Sequence, residues 1–293
     1  MDHIAVCIAT FKRPQLLENL LNSIANQVTK SKFLISVIIV DNDAKASGQT
    51  IAKNYTNYYF IETEKNIALV RNRAVTEAVT LGANFVAFID DDEVASFDWL
   101  FRLYEAVQNV DIVHGPICRD VPDTPFFRVF FKRRRGDPPS SWKRAKPSTG
   151  NCLIRVEVFQ KIQFDPAFGI SGGEDSDFFY RALQAGFRFR WVLDAVATET
   201  VLPNRMAIRW VLARSFREGN SFIRLHRKNS NWQKQLILFG MLWIKLFIDL
   251  ICIPIMPVMA VVSQLCFWRQ VRKSAGHLGQ LAAFLNYVHL EYR

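Results

Sequence analysis

Five apolar residues, Phe85-Val86-Ala87-Phe88-Ile89, run without a break into four carboxylates, Asp90-Asp91-Asp92-Glu93. The apolar run does not alternate and holds no turn residue. It therefore reads as a strand buried on both faces, as in a parallel sheet covered by helices. Carboxylates crowded at the end of such a strand repel one another, and a folded chain tolerates them only beside positive charge. Two readings follow: an acidic loop dispersed in solvent, or a site for a hard divalent cation, Mg2+ or Mn2+, whose shell phosphate oxygens complete. In open α/β sheets ligands bind beyond the C-terminal ends of the strands, which is where these residues fall.

The flanking sequence supplies the rest of such a sheet. Residues 4–9 predict a strand, and Pro14 opens a helix with Leu16, Leu17, Leu20, Leu21 and Ile24 at helical spacing. Residues 34–40 predict a second strand that ends in the polar turn Asp41-Asn42-Asp43, and Tyr58–Ile61 a weaker one. Asn66 is placed to cap a helix over 67–81. A helix over Trp99–Val107 and a strand over Ile112–His114 follow the acidic run. Strands alternating with helices imply a doubly wound, mostly parallel sheet. Right-handed crossovers bring the loops after Ala9, Val40 and Ile89 to one edge, where Thr10, Asp41 and the acidic run form a crevice. A second region, 115–201, holds a basic loop, the turn Ser148-Thr149-Gly150-Asn151 and a strand over 152–156. Gly172-Gly173-Glu174-Asp175, a helix over 177–185 and a strand over 187–193 come after it. No internal repeat is visible.

The chain has 293 residues, half of them hydrophobic, and a formal net charge of +10. That charge suits an anionic partner: nucleic acid, a phosphorylated metabolite or an anionic membrane surface. Its five cysteines are odd in number and form no CxxC pair, so neither a disulfide framework nor a zinc site is expected, and a reducing compartment is. Met1-Asp2-His3 leads directly into a strand, without the pattern of a cleaved signal peptide. Residues 236–268 carry only Lys245 and Asp249 as charges, a stretch longer than the roughly 20 residues that cross a bilayer. Pro254 and Pro257 interrupt it. It reads as a kinked span, a re-entrant pair of half-helices, an amphipathic pair in the interface, or a buried hairpin or dimer surface. Lys234, Arg269, Arg272 and Lys273 flank it and suit anionic headgroups. The expected division is a catalytic unit over 1–230 and membrane-associating helices over 231–293.

Five motifs occur in order: Ile8-Ala9-Thr10-Phe11-Lys12-Arg13-Pro14, Val40-Asp41-Asn42, Asn66 through Arg71-Asn72, Asp90-Asp91-Asp92, and Glu174-Asp175 followed by Arg181. Together they resemble the family 2 glycosyltransferases of GT-A fold, over about residues 4–220. Within that family the chain is most similar to enzymes that build exopolysaccharide or other surface glycans on a lipid carrier. The resemblance implies an α/β GT-A fold with a C-terminal apolar helical segment. It also implies an inverting, metal-dependent transfer of a sugar from a nucleotide-sugar, UDP-sugar by default, to a hydroxyl of a lipid-linked glycan. The cytoplasmic face of the cell membrane is the implied location.

The resemblance further implies residue roles. Thr10 and Arg13 meet the nucleotide, and Asp41, or Asn42 beside it, accepts hydrogen bonds from the base or ribose. Arg71 holds the nucleotide or the acidic loop; the alternative is a solvated helix face shared with Arg73. Asp90 approaches the ribose, and Asp92 binds the metal that bridges the diphosphate. Asp91 and Glu93 support the metal site or are solvated. Relatives often complete that site with a histidine where this chain reads Ala197-Thr198-Glu199-Thr200, so either Glu199 substitutes or Asp92 and phosphate suffice. Asp175 takes the proton from the acceptor hydroxyl, unless it only caps a helix. Glu174, Arg181 and Arg217 fall to the acceptor or the diphosphate.

Two basic stretches are candidates for acceptor contact. One runs from Phe126-Phe127-Arg128 through Arg133-Arg134-Arg135 to Lys143, Arg144 and Lys146. The other, 205–224, is an amphipathic helix with Arg209, Arg214 and Arg217 on its basic face, ended by Gly219-Asn220 near the rim of the crevice. None of the five histidines is assigned to catalysis. A nucleotidyltransferase would want a glycine-rich loop after the first strand to grip a triphosphate, and residues 9–14 hold no glycine. A nucleic-acid-binding protein fits the net charge but not four carboxylates at the binding edge, and no nucleic-acid motif occurs.

Overall fold

The computed structural model describes residues 1–131 and 147–291. Its strands are β1 (Asp2–Thr10), β2 (Phe33–Asp41), β3 (Tyr58–Ile61), β4 (Phe85–Ile89), β5 (Glu93–Ala95), β6 (Ile112–His114), β7 (Ile117–Arg119), β8 (Asn151–Arg155), β9 (Phe189–Trp191) and β10 (Ala197–Glu199). Seven of them make the main sheet, in the order β3-β2-β1-β4-β8-β6-β9. Among the described residues β8 alone runs against its neighbours, so the expected mostly parallel sheet is what forms. A small second sheet, β5-β10-β7, sits beside it. The sequence reading missed this sheet, because three-residue strands are too short to show a period.

Side chains alternate across β1, which gives the sheet its two cores. Ile4, Val6 and Ile8 pack with Leu17, Leu20 and Leu21 of the Pro14–Ala25 helix and with Trp99 of the Trp99–Val107 helix. Ala5 and Cys7 face the Ile67–Thr80 helix and Phe178 and Phe179 of the Glu174–Gln184 helix. Full burial of each large apolar side chain contributes roughly 1.5–3 kcal/mol. The register then fixes where the loops fall. Thr10 lies opposite Asp41 across β1 and β2, and β4 pairs in parallel with β1 on its other side. Three loops therefore leave the sheet at one edge.

Two helix limits differ from the sequence reading. The Glu174–Gln184 helix starts three residues before position 177, because Gly173 closes its N-terminus in the left-handed conformation (φ +98). Glu174, Asp175 and Asp177 then sit in its first turn, where the helix dipole favours carboxylates. The arginine-rich helix, Ile208–Asn229, does not stop at Gly219-Asn220. Gly219 is there for close approach: a Cβ on it would lie 1.9 Å from the carbonyl oxygen of Gly276.

That neighbour belongs to the last helix, Gln264–Phe284, which returns along the arginine-rich helix. Asn220 Nδ2 donates to the carbonyls of Gly279 and Tyr287 at 3.3 and 2.8 Å, and Arg227 Nη1 to that of Ala283 at 3.1 Å. On its other side the return helix carries the apolar helix, Trp232–Cys252. Asp249 pairs with His277 at 2.8 Å and accepts from Gln270 at 2.7 Å, while Lys245 donates to Gln280 at 3.4 Å. Both charges of the apolar stretch are thus spent on the return helix. The outward face of Leu236, Trp243, Ile244, Phe247 and Ile251 is exposed. Pro254 ends this helix in a single 3-10 turn, Ile253–Ile255, and Met256–Val262 continues it. By length and composition Trp232–Val262 is able to cross a membrane.

The expected basic loop through Arg133, Arg134, Arg135, Lys143, Arg144 and Lys146 lies outside the described residues. Before it, Phe126 and Phe130 of the short Pro125–Phe130 helix pack on Trp268. All five cysteines are free.

Candidate active site

The acidic run leaves β4 and turns at once into β5, with Glu93 N–H donating to the Asp90 carbonyl at 3.0 Å. Several of the carboxylates share a partner. Thr10 Oγ1 donates to Asp91 at 2.9 Å, and Arg13 Nη1 reaches Asp91 at 2.9 Å and Asp92 at 3.1 Å. Arg205 Nη1 lies 2.6 Å from the same Asp92 oxygen and 3.7 Å from Glu199. Glu199 sits directly across the β5–β10 ladder from Glu93 and pairs with Arg119. Asp90 faces Arg71, 3.6 Å from Nη2.

Arg71 is buried, which sets aside the solvated-face reading; Arg73, by contrast, is outside and pairs with Glu77. Asn66 starts the Arg71 helix by accepting from the N–H groups of Ala68 and Leu69 at 3.1 and 3.3 Å. From there Arg71 spans the crevice. One nitrogen faces Asp90, and another hydrogen-bonds Glu174 at the start of the facing helix. Asp175, the next residue, is half-buried and accepts from the Ser176 N–H at 2.6 Å. One guanidinium thus joins the acidic loop to the Glu174-Asp175 turn.

The electrostatics are those of crowded carboxylates. Burial pushes Asp90 up to about 7; Asp92 and Asp91 add to the rise and Arg71 opposes it. Its side chain still keeps 45% of its surface open. Burial also raises Asp91 against the pull of Arg13, and lifts Glu93 well above the carboxylate range with help from Asp90 and Glu199. Glu174 is raised by burial as well, and its second oxygen is buried without a hydrogen-bond partner. Arg13 meets Asp91 and Asp92, Arg71 meets Asp90 and Glu174, Arg205 meets Asp92 and Glu199, and Arg119 meets Glu199, while Glu93 accepts from the Asp90 N–H. Among the described residues no three acidic, histidine or cysteine groups form a ready cage. The donor set therefore fits a cation that brings ligands of its own, such as Mg2+ or Mn2+ on a diphosphate.

Other expected residues sit elsewhere or are differently employed. Asp41 is fully buried and accepts from the N–H groups of Asp43 and Gly48 at 2.9 and 2.8 Å and from the Tyr59 hydroxyl at 2.6 Å. These contacts hold the loop after β2. Asn42 ties that loop to the next by donating to the carbonyls of Glu62 and Glu64 at 2.8 and 2.7 Å. Glu199 is buried and paired with Arg119. Arg181 pairs with Asp177 at 2.7 Å and lines an open surface hollow of about 430 Å³ with Gln163, Asp165 and Lys228, away from the acidic loop. Arg217 lies against Gly172 and pairs with Glu291. Sequence reasoning missed Arg119 and the direct pairing of Arg205 with Asp92. Gly150 was seen only as part of a turn. A Cβ there would lie 2.8 Å from Glu93 Oε1 and 3.1 Å from Asp90 Oδ2.

Residues 5–163 match the family described as "Glycosyl transferase family 2". The chain belongs to that family and is a glycosyltransferase. It is 30% identical over 250 residues, 80% of this chain and 78% of the other, to the succinoglycan biosynthesis protein ExoM of Rhizobium meliloti (strain 1021). Among solved structures it is similar to the mannosyltransferase PcManGT from Pyrobaculum calidifontis in complex with GDP-Man and Mn2+ (TM-score 0.63, 16% identity, 95% of this chain and 86% of that one). It is also similar to S. aureus TarS 1-349 in complex with UDP (TM-score 0.55, 17% identity, 100% and 97%). At these identities the two structures establish the fold.

Proposed function

We propose that this chain transfers a sugar from a nucleotide-sugar, by default a UDP-sugar, to a hydroxyl of a lipid-linked glycan, with inversion and with Mg2+ or Mn2+. The observation that carries the reading is the Arg71 bridge, which sets Asp90 and the Glu174-Asp175 turn on one cleft. The nucleotide lies over the loops that follow β1, β2 and β4. Thr10 and Arg13 hold the acidic loop in place there, and Asp41 and Asn42 shape the loops that face the base. Asp92, with Asp90 beside it, holds the cation. When bound, that cation neutralises the charge that gathers on the departing diphosphate. Asp175 takes the proton from the acceptor hydroxyl as its oxygen attacks the anomeric carbon and the bond to the diphosphate breaks. Arg71 sets the distance between the two halves of the cleft, and positioning of this kind supplies much of the acceleration.

The relative named for succinoglycan biosynthesis supports a polysaccharide product. The exposed apolar helix supports a membrane-held acceptor, and the family resemblance implies the cytoplasmic face. The helix stack favours lying in the interface over crossing it. A crossing apolar helix would drag the return helix, with Arg269, Arg272 and Lys273, into hydrocarbon. Substituting Asp175→Asn tests the catalytic reading. It should leave UDP binding within about twofold and lower transfer by at least ~100-fold, the scale of a lost general base. Transfer close to that of the parent would remove Asp175 from the mechanism.

A further inference from the structure

Asp92, the carboxylate on which the cation reading rests, already carries two guanidiniums on one of its oxygens. Arg205 and Arg13 both place Nη1 on its Oδ2, at 2.6 and 3.1 Å, and only 6% of the Asp92 side chain is exposed. A divalent cation cannot share that oxygen with two guanidiniums, since like charges about 4 Å apart repel strongly away from bulk water. A cation that draws on Asp92 therefore competes with these arginines, and the geometry distinguishes them. Arg13 also holds Asp91 at 2.9 Å, and that pairing remains if Asp92 is taken. Arg205 has Glu199 at 3.7 Å as its other carboxylate, and Glu199 is already paired with Arg119. Arg205 also lies in a single 3-10 turn, Pro203–Met206, between β10 and the arginine-rich helix. A freed guanidinium fork there matches the paired oxygens of a diphosphate.

We propose that Arg205 is the cation's internal competitor: it neutralises Asp92 before substrate arrives, then yields Asp92 to the divalent cation and pairs with the diphosphate that arrives with it. The proposal rests on the nucleotide-sugar reading above and adds a coupling to it. Cation alone must break the Arg205–Asp92 pair and leave Arg205 without an equal partner. Cation with diphosphate supplies that partner. Metal and nucleotide therefore bind with positive cooperativity, each raising the affinity for the other by the same factor.

The test follows Mn2+ binding to the full chain through loss of the free aqueous Mn2+ EPR signal, with and without UDP. Calorimetry measures UDP binding in the presence of Mn2+. With Arg205→Gln, Mn2+ alone should bind roughly tenfold tighter, while UDP should bind roughly tenfold weaker, the scale of one charged hydrogen bond gained or lost. A folding defect would weaken both, so the opposite signs are the signature. Mn2+ binding to Arg205→Gln no tighter than to the parent overturns the proposal. Arg205→Lys keeps a cation but not the fork, and decides if the glutamine variant does not fold. It should bind Mn2+ alone about threefold tighter, and an unchanged affinity is equally fatal. A parent protein that binds neither Mn2+ nor UDP overturns the nucleotide-sugar reading and this proposal with it. Normal parent binding with an indifferent Arg205 overturns this proposal alone.

Discussion

Replacing Arg71 with methionine removes a side chain that touches both halves of the cleft. Arg71 and Glu174 keep only 9% and 7% of their side-chain surfaces exposed, so the substitution strands a carboxylate in the interior. Breaking a buried pair from one side costs about 3–5 kcal/mol. In a domain of this size that lowers Tm by on the order of 10 °C. Asp90, 3.6 Å away and partly open, loses less, because solvent and neighbours screen it. The double variant Arg71→Met/Glu174→Gln leaves no buried charge and should recover most of the loss. The single variant should also regain stability as pH falls, because burial already raises Glu174 and a proton removes the stranded charge. Differential scanning fluorimetry of the two single variants and the double, at pH 8 and pH 6, completes the cycle. A Tm drop under about 3 °C, or a double variant no better than Arg71→Met, would refute the bridge as a structural tie.

Two further expectations concern pH and the membrane. Asp90 is held near 7, above its unfolded value, so its contribution to stability is full below the unfolded carboxylate range and is lost as pH rises through about 7. Without metal, Tm should therefore fall between pH 6 and pH 8, and saturating Mn2+ should reverse the trend by favouring the ionised group; a metal-free Tm that climbs over this range contradicts the assignment. Phe247→Glu/Ile251→Glu changes two exposed positions on the apolar helix, 63% and 50% open, and should leave the fold intact while abolishing flotation with anionic vesicles. Truncation after Asn231 is a poorer test, because it also strips the return helix from Gly219 and Asn220. In the parent, brominated lipids should quench Trp243 most when bromine lies near the headgroups, whereas strongest quenching at mid-bilayer would mean that the helix crosses.

Local order along the chain settled a good deal by itself. Phe85–Ile89 is apolar at five successive positions, the pattern of a strand covered on both faces, and that is what it forms. Asn66 before an apolar-periodic stretch announced a helix, and Pro14 another, because capping and proline act within one turn. The acidic run and Glu174-Asp175 were legible as chemistry, since like charges side by side demand an explanation wherever the chain goes. Partners were not legible. Arg205 meets Asp92 across 113 positions, and Arg71 meets Glu174 across 103. Nothing in a local period encodes such pairings. That Asp41 holds the turn that follows it, and that Gly219 admits Gly276 rather than ending a helix, came only with the fold. The sequence determined the longer strands and helices of the main sheet and where charge is concentrated, because those depend on neighbours a few bonds away. The tertiary structure alone decided which guanidinium neutralises which carboxylate, because burial and distance between remote residues exist only once the sheet has brought its loops to one edge.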